Sequence, residues 1–153
     1  MYDRIIVALD GSPLAEQVLP HVEALAEKFS STIILVRAIM PVTQVAALVE
    51  PSIGGVPLDP TLIEETIESE EEEAEGYLAT VASALRLKGL QVESERAEGP
   101  AAEAIVECAT LRHADLIGLT TRGRSGLSKL VFGSVAESVL KKASCPCLLV
   151  KAR

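Results

Sequence analysis

The residues best placed to do chemistry are Thr120-Thr121-Arg122-Gly123-Arg124-Ser125-Gly126-Leu127-Ser128-Lys129-Leu130-Val131-Phe132-Gly133-Ser134. Glycines at this density let successive backbone N–H groups approach an anion with no side chain in the way, and Gly133-Ser134 leads into a helical pattern whose N-terminus also favours negative charge. From Leu116 to Ala136 there is no Asp or Glu, while Arg122, Arg124 and Lys129 supply positive charge in an otherwise acidic chain. The chemistry this suits is phosphate binding. No Gly-Lys-Ser/Thr stands at P-loop spacing and no Gly-x-Gly opens a dinucleotide fingerprint. A plainer reading, in which the glycines only turn the chain, stays open at this level.

Other reactive residue types offer less. Asp10, in Asp10-Gly11-Ser12-Pro13, is a carboxylate at the end of an apolar run, suited either to a ligand or simply to an Asp-Gly turn. Cys145-Pro146-Cys147 lacks the Cys-x-x-Cys spacing of metal and redox sites and reads as strand filling, and His21 and His113 belong to no acid–nucleophile pattern. Ser134 with Glu137 three residues on also has the form of a capping box.

These residues need a frame. Arg4–Leu9 is a continuous apolar run of strand length, and Ser12 then Pro13 read as the cap and first position of a helix bearing Leu14, Val18, Val22, Leu25 and Phe29. Thr32–Ile39 is a second β-rich run. Residues 41–60 hold four prolines and Gly54-Gly55 without a period, which predicts a loop able to act as a mobile lid. Ile63, Ile67, Ala74, Leu78, Val81 and Leu85 mark one face of a long helix that Gly89 ends. Leu90–Ala97 reads as a weaker, edge-like strand, Gly99-Pro100 opens a third helix, and Ala114–Thr121, Ser134–Ala143 and Pro146–Lys151 complete a strand, a helix and a strand. The alternation predicts an α/β fold: a five-stranded, mostly parallel open sheet with helices on both faces. Such sheets bind ligands at the carboxyl ends of their strands, beside the point where strand order reverses. The turns after strands one and four are therefore the expected site.

With 153 residues and 48 % hydrophobic content, residues 1–153 are expected to form one domain. The formal charge of −8 argues against nucleic acid or anionic lipid as partner. Its excess sits in Glu64, Glu65, Glu68, Glu70, Glu71, Glu72, Glu73 and Glu75, read as a solvated helix face. No apolar run nears the roughly 18 residues of a membrane span, and with no signal-peptide pattern a cytoplasmic location with reduced thiols is expected.

The glycine segment resembles the universal stress protein signature Gly-x2-Gly-x9-Gly-Ser/Thr, matched by Gly123, Gly133 and Ser134, with Thr120 where the first glycine would stand. The resemblance extends to the opening Ile5-Ile6-Val7-Ala8-Leu9-Asp10-Gly11-Ser12, to Glu98-Gly99-Pro100 and to the helix start Gly133-Ser134-Val135-Ala136-Glu137. It implies a Rossmann-like fold and ATP binding. By the same resemblance, amides around Gly123, Arg124, Gly126, Gly133, Ser134 and Val135, with the Ser134 hydroxyl, hold the phosphates. Asp10 faces the ribose or a magnesium ion, Ala38 recognises adenine through its backbone, and Leu9 and Thr120 complete the ATP-binding set. The family also commonly pairs through the last strand, which implies a homodimer through residues 147–151. Because Asp10 is the sole nearby carboxylate for a base, efficient hydrolysis is not expected. The function implied is an ATP-binding, dimeric regulatory or stress-response module with a further protein partner. The alternatives are a nucleotide-free interaction module and a slow ATP hydrolase.

Overall fold

The computed structural model describes residues 1–40, 60–121 and 133–153. Of the lid expected over residues 41–60, residues 41–59 lie outside the described residues, as do Gly123, Arg124 and Gly126, while Pro60 already opens a helix. In chain order the elements are β1 (Arg4–Ala8), a 3-10 turn (Ala15–Val18), α1 (Leu19–Phe29), β2 (Thr32–Ile39), α2 (Pro60–Leu87), β3 (Gln91–Glu98), α3 (Ala101–Leu111), β4 (Leu116–Thr121), α4 (Ser134–Lys142) and β5 (Cys147–Lys151).

The sheet has the order β3-β2-β1-β4-β5, and all four pairings are parallel. Side chains alternate across it. Ile5, Val7, Ile33 and Leu35 enter one cluster with Val18 and Val22 and with Leu78, Ala82 and Leu85 of α2. Ile6, Ile34, Val36, Ile117 and Leu119 enter a second cluster with Ile105 and Cys108 of α3 and Val139 of α4. Both faces are covered, which is why β1 and β2 read as largely apolar runs rather than alternating ones.

Close packing is tightest at Gly118 of β4. A Cβ there would stand 3.0 Å from Val22 Cγ2 and 3.3 Å from Val18 Cγ2. Gly118→Ala is accordingly expected to lower stability by about 1–3 kcal/mol through overpacking of α1 on the sheet, read as a lower denaturant midpoint with an unchanged slope.

The first helix begins later than the sequence suggests. Ser12 does cap, its hydroxyl accepting from Ala15 N at 3.1 Å, but residues Ala15–Val18 wind as a 3-10 turn. Leu19 N donates to Glu16 O, and Pro20 has no N–H to continue the ladder, so regular α1 starts only there. Leu14 is therefore not a core residue and is 44 % exposed. Among the described residues, no helix is long and apolar enough to cross a membrane.

Candidate functional site

Strand order reverses between β1 and β4: the chain steps from β1 outward to β2 and β3, then returns to the other side of β1 for β4 and β5. At the carboxyl ends of β1 and β4 lies a cavity of about 380 Å³. It falls within the range of small-molecule sites. Of the ten residues expected to bind ATP, the seven within the described residues all line it: Leu9, Asp10, Ala38, Thr120, Gly133, Ser134 and Val135.

At one end, β2 runs past β1. The last pair of these strands is Ala8 with Val36, and Val36 O accepts from Leu9 N at 2.9 Å. Ile39 O accepts from Gly99 N on the opposite side. Because backbone groups alternate along a strand, Ala38 turns its N–H and C=O to the side β1 has left, toward the cavity. Asp10 caps the neighbouring turn, its Oδ1 accepting from Ser12 N at 2.9 Å. The Asp-Gly turn and a place in the cavity are thus compatible.

The other end is the start of α4. Gly133 is the N-cap, at φ 77° and ψ 148°, and its C=O accepts from Glu137 N at 3.0 Å. Ser134 is the first helical residue, so no capping box forms: among the described residues no side chain caps this helix, and Glu137 instead pairs with Lys141 at 2.6 Å. A capping hydroxyl belongs to the N-cap residue and accepts from an N–H two or three positions ahead, so the box would need the Ser one residue earlier, where Gly133 stands. The N–H groups of a first helical turn lack partners within the helix. Here the turn carrying them, Ser134 to Ala136, borders the cavity and offers an anion both donors and the positive end of the helix dipole.

Thr120 stands between these ends. Its hydroxyl donates to Ala15 O at 3.0 Å, so the side chain that replaces a glycine ties β4 to the 3-10 turn. Thr120→Val keeps the shape and removes the donor, and should cost about 1 kcal/mol of stability in chemical denaturation.

Sequence reasoning missed Arg37, the only Lys or Arg among the described residues lining the cavity. Its signal was a lone charge inside the otherwise apolar run Ile33–Ile39. Also missed were Ala101 and Ile105 of α3 and the buried Ala152, which Thr121 O holds through Ala152 N at 3.1 Å. The other reactive types lie elsewhere. His21 and His113 do not line the cavity. Cys145 and Cys147 pack against the second core cluster, where burial raises both thiols above the usual range. Burial, then the charge and hydrogen bond of Glu95, push Cys108 up to about 12. All three thiols stay protonated near neutrality, which suits filling rather than nucleophilic or metal chemistry.

The Universal stress protein family model matches residues 1–151. The chain belongs to the universal stress protein family. A universal stress protein of Methanocaldococcus jannaschii, MJ0531, is 33 % identical over 153 residues, covering 99 % of this chain and 83 % of that one. Among solved structures, the M. jannaschii protein MJ0577 superimposes with a TM-score of 0.79 at 27 % identity, covering 100 % of this chain and 98 % of that one. The universal stress protein of Archaeoglobus fulgidus in complex with dAMP has a TM-score of 0.61 at 22 % identity, covering 98 % of each chain. The parallel five-stranded universal stress protein fold expected from the sequence is therefore the one observed.

Proposed function

We propose that the protein binds ATP in the cavity at the β1/β4 reversal and works as a dimeric regulatory or stress-response module rather than as an efficient hydrolase. The observation that carries this reading is the pairing of a helix start at Gly133-Ser134-Val135, without a side-chain cap among the described residues, with Asp10 and the outlying backbone of Ala38 across one cavity. Adenine would pair with the Ala38 backbone, the ribose would face Asp10 with Leu9 and Thr120 beside it, and the phosphates would meet the amides of residues 133–135. Gly123, Arg124 and Gly126 would complete the phosphate cradle. The A. fulgidus complex with dAMP supports this class of ligand, since an adenine nucleotide is held by that protein on the same fold.

Magnesium fits as a companion of the phosphates only. No group of three His, Cys, Asp or Glu side chains suited to a metal occurs among the described residues. Asp10 would supply one carboxylate oxygen, and phosphate oxygens and water the rest. The dimer would form along β5, the outer strand next to β4.

A calorimetric titration with ATP, run beside a product assay, tests the reading. The expected result is one saturable site per chain with turnover far below about 1 per second; steady turnover in the ordinary enzyme range of about 1–1000 per second would contradict the module.

A further inference from the structure

The acidic face of α2 is not simply solvated. Arg37 of β2 and Arg96 of β3 are register partners, and α2 holds both. Arg96 meets Glu71 at 3.0 Å and Glu75 at 3.1 Å, while Arg37 Nη2 meets Glu73 Oε1 at 3.2 Å. Arg37 differs from Arg96 in lining the cavity. Its side chain is only 17 % exposed, and its guanidinium carbon lies 5.7 Å from the centre of the Tyr77 ring. Its Nη1 is buried and donates to no acceptor among the described residues. Against that nitrogen rests Gly11, where a Cβ would stand 3.2 Å away and where φ is +85°.

We propose that Arg37 is the positioning residue that sets selectivity at the ribose end of the cavity, its guanidinium carrying the Asp10-Gly11-Ser12 turn on which ribose hydroxyls are read. The inference rests on the ATP reading and on Asp10 facing the ribose. Two contacts hold the guanidinium, Glu73 at one edge and the Tyr77 ring on one face, and the missing side chain of Gly11 leaves the room that Nη1 occupies beside the turn. Tyr77 is itself fixed, its hydroxyl donating to Glu16 of the 3-10 turn at 3.0 Å. Burial, then Glu16, push the Tyr77 phenol up. Asp10 and Arg37 line the same cavity. A partly buried cation close under a turn acts in a medium where charge is weakly screened, so it favours the turn arrangement that keeps the Asp10 carboxylate near. A planar guanidinium can keep Nη2 on Glu73 while Nη1 lies beside the turn, a span that a single ammonium lacks. Through this side chain the glutamate helix governs the shape of the ligand's seat.

The test compares ATP with 2′,3′-dideoxy-ATP, which lacks the hydroxyls Asp10 would read. The parent should favour ATP by about tenfold or more, and Arg37→Met should bring the two within about threefold by weakening ATP while the dideoxy affinity stays nearly constant. Arg37→Lys should restore the preference only in part. Glu73→Gln, at a side chain 72 % exposed and so at little cost to folding, should lower the preference by about threefold. A retained preference in Arg37→Met, or equal losses for both nucleotides, would overturn the proposal. Should Arg37→Met fail to fold, an unchanged preference in Glu73→Gln would overturn it instead. A parent that binds neither nucleotide removes the ATP reading itself, and one that binds both alike leaves ATP binding standing and removes the role of Arg37.

Discussion

Gly133→Val is expected to weaken ATP binding by at least about tenfold in the folded protein, and to lower its stability by about 1–3 kcal/mol. The cause is torsional. At φ 77° and ψ 148°, Gly133 occupies a region that residues with a Cβ scarcely enter. Chain neighbours apart, no described residue comes within 4 Å of where the Cβ would stand, so the strain argument does not depend on crowding. A β-branched residue would relax by turning φ negative, and that rotation re-aims the amides of Ser134 and Val135, the ones that would face the phosphates. Calorimetry on the variant, paired with thermal unfolding of the unliganded protein, separates the affinity loss from the stability loss. A folded Gly133→Val protein that bound ATP as tightly as the parent would reduce the glycine to a bend in the chain.

The second large effect is expected at Leu149→Pro, which should weaken self-association by about a hundredfold or more, while the lost packing of Leu149 lowers the monomer's stability by about 2–3 kcal/mol without unravelling β5 from β4. Ile117 N donates to Pro146 O, and Ala152 N donates to Thr121 O. By the alternation of a parallel ladder, residues 146, 148, 150 and 152 turn their backbone groups to β4, and Cys147, Leu149 and Lys151 turn theirs to the outer edge. That edge belongs to a half-buried apolar strand and invites pairing with another copy. Proline at 149 removes an outward donor and obstructs approach without touching the bonds to β4. Truncation after Ser144 would be a poorer test, because Leu148 and Val150 pack against the first core cluster and Leu149 against the second. Sedimentation velocity over a concentration series provides the readout. A parent that stays monomeric at high concentration, or a variant that associates as strongly as the parent, would contradict the β5 dimer.

Much of this architecture was legible because burial on both faces writes itself into the chain. Arg4–Ala8 and Thr32–Ile39 are largely apolar since helices cover each side, and the weaker pattern of Gln91–Glu98 marks an edge strand. The candidate site was legible as a cavity lined by Asp10 and Gly133, whose residue types are demanded by a turn and by a positive φ. The features that escaped depend on geometry that periodicity does not encode. The 3-10 turn at Ala15–Val18 reflects the missing N–H of Pro20, well beyond the cap signal of Ser12-Pro13. The capping box failed by a single position, because Gly133 rather than Ser134 is the N-cap. Arg37 escaped since the contacts that define it come from Gly11, Glu73 and Tyr77, all distant in sequence. The glutamates of α2 gave their charge but not their partners on β2 and β3.

Amide hydrogen exchange with and without ATP tests the central claim most directly, since it asks both whether the nucleotide binds and whether it binds in this cavity. Exchange should slow at residues 10–12 on one rim and at Ser134, Val135 and Ala136 on the other, with the helix start affected most because its amides would donate to phosphate. Saturating ATP that left both rims unchanged, or that protected amides only elsewhere on the molecule, would contradict the account.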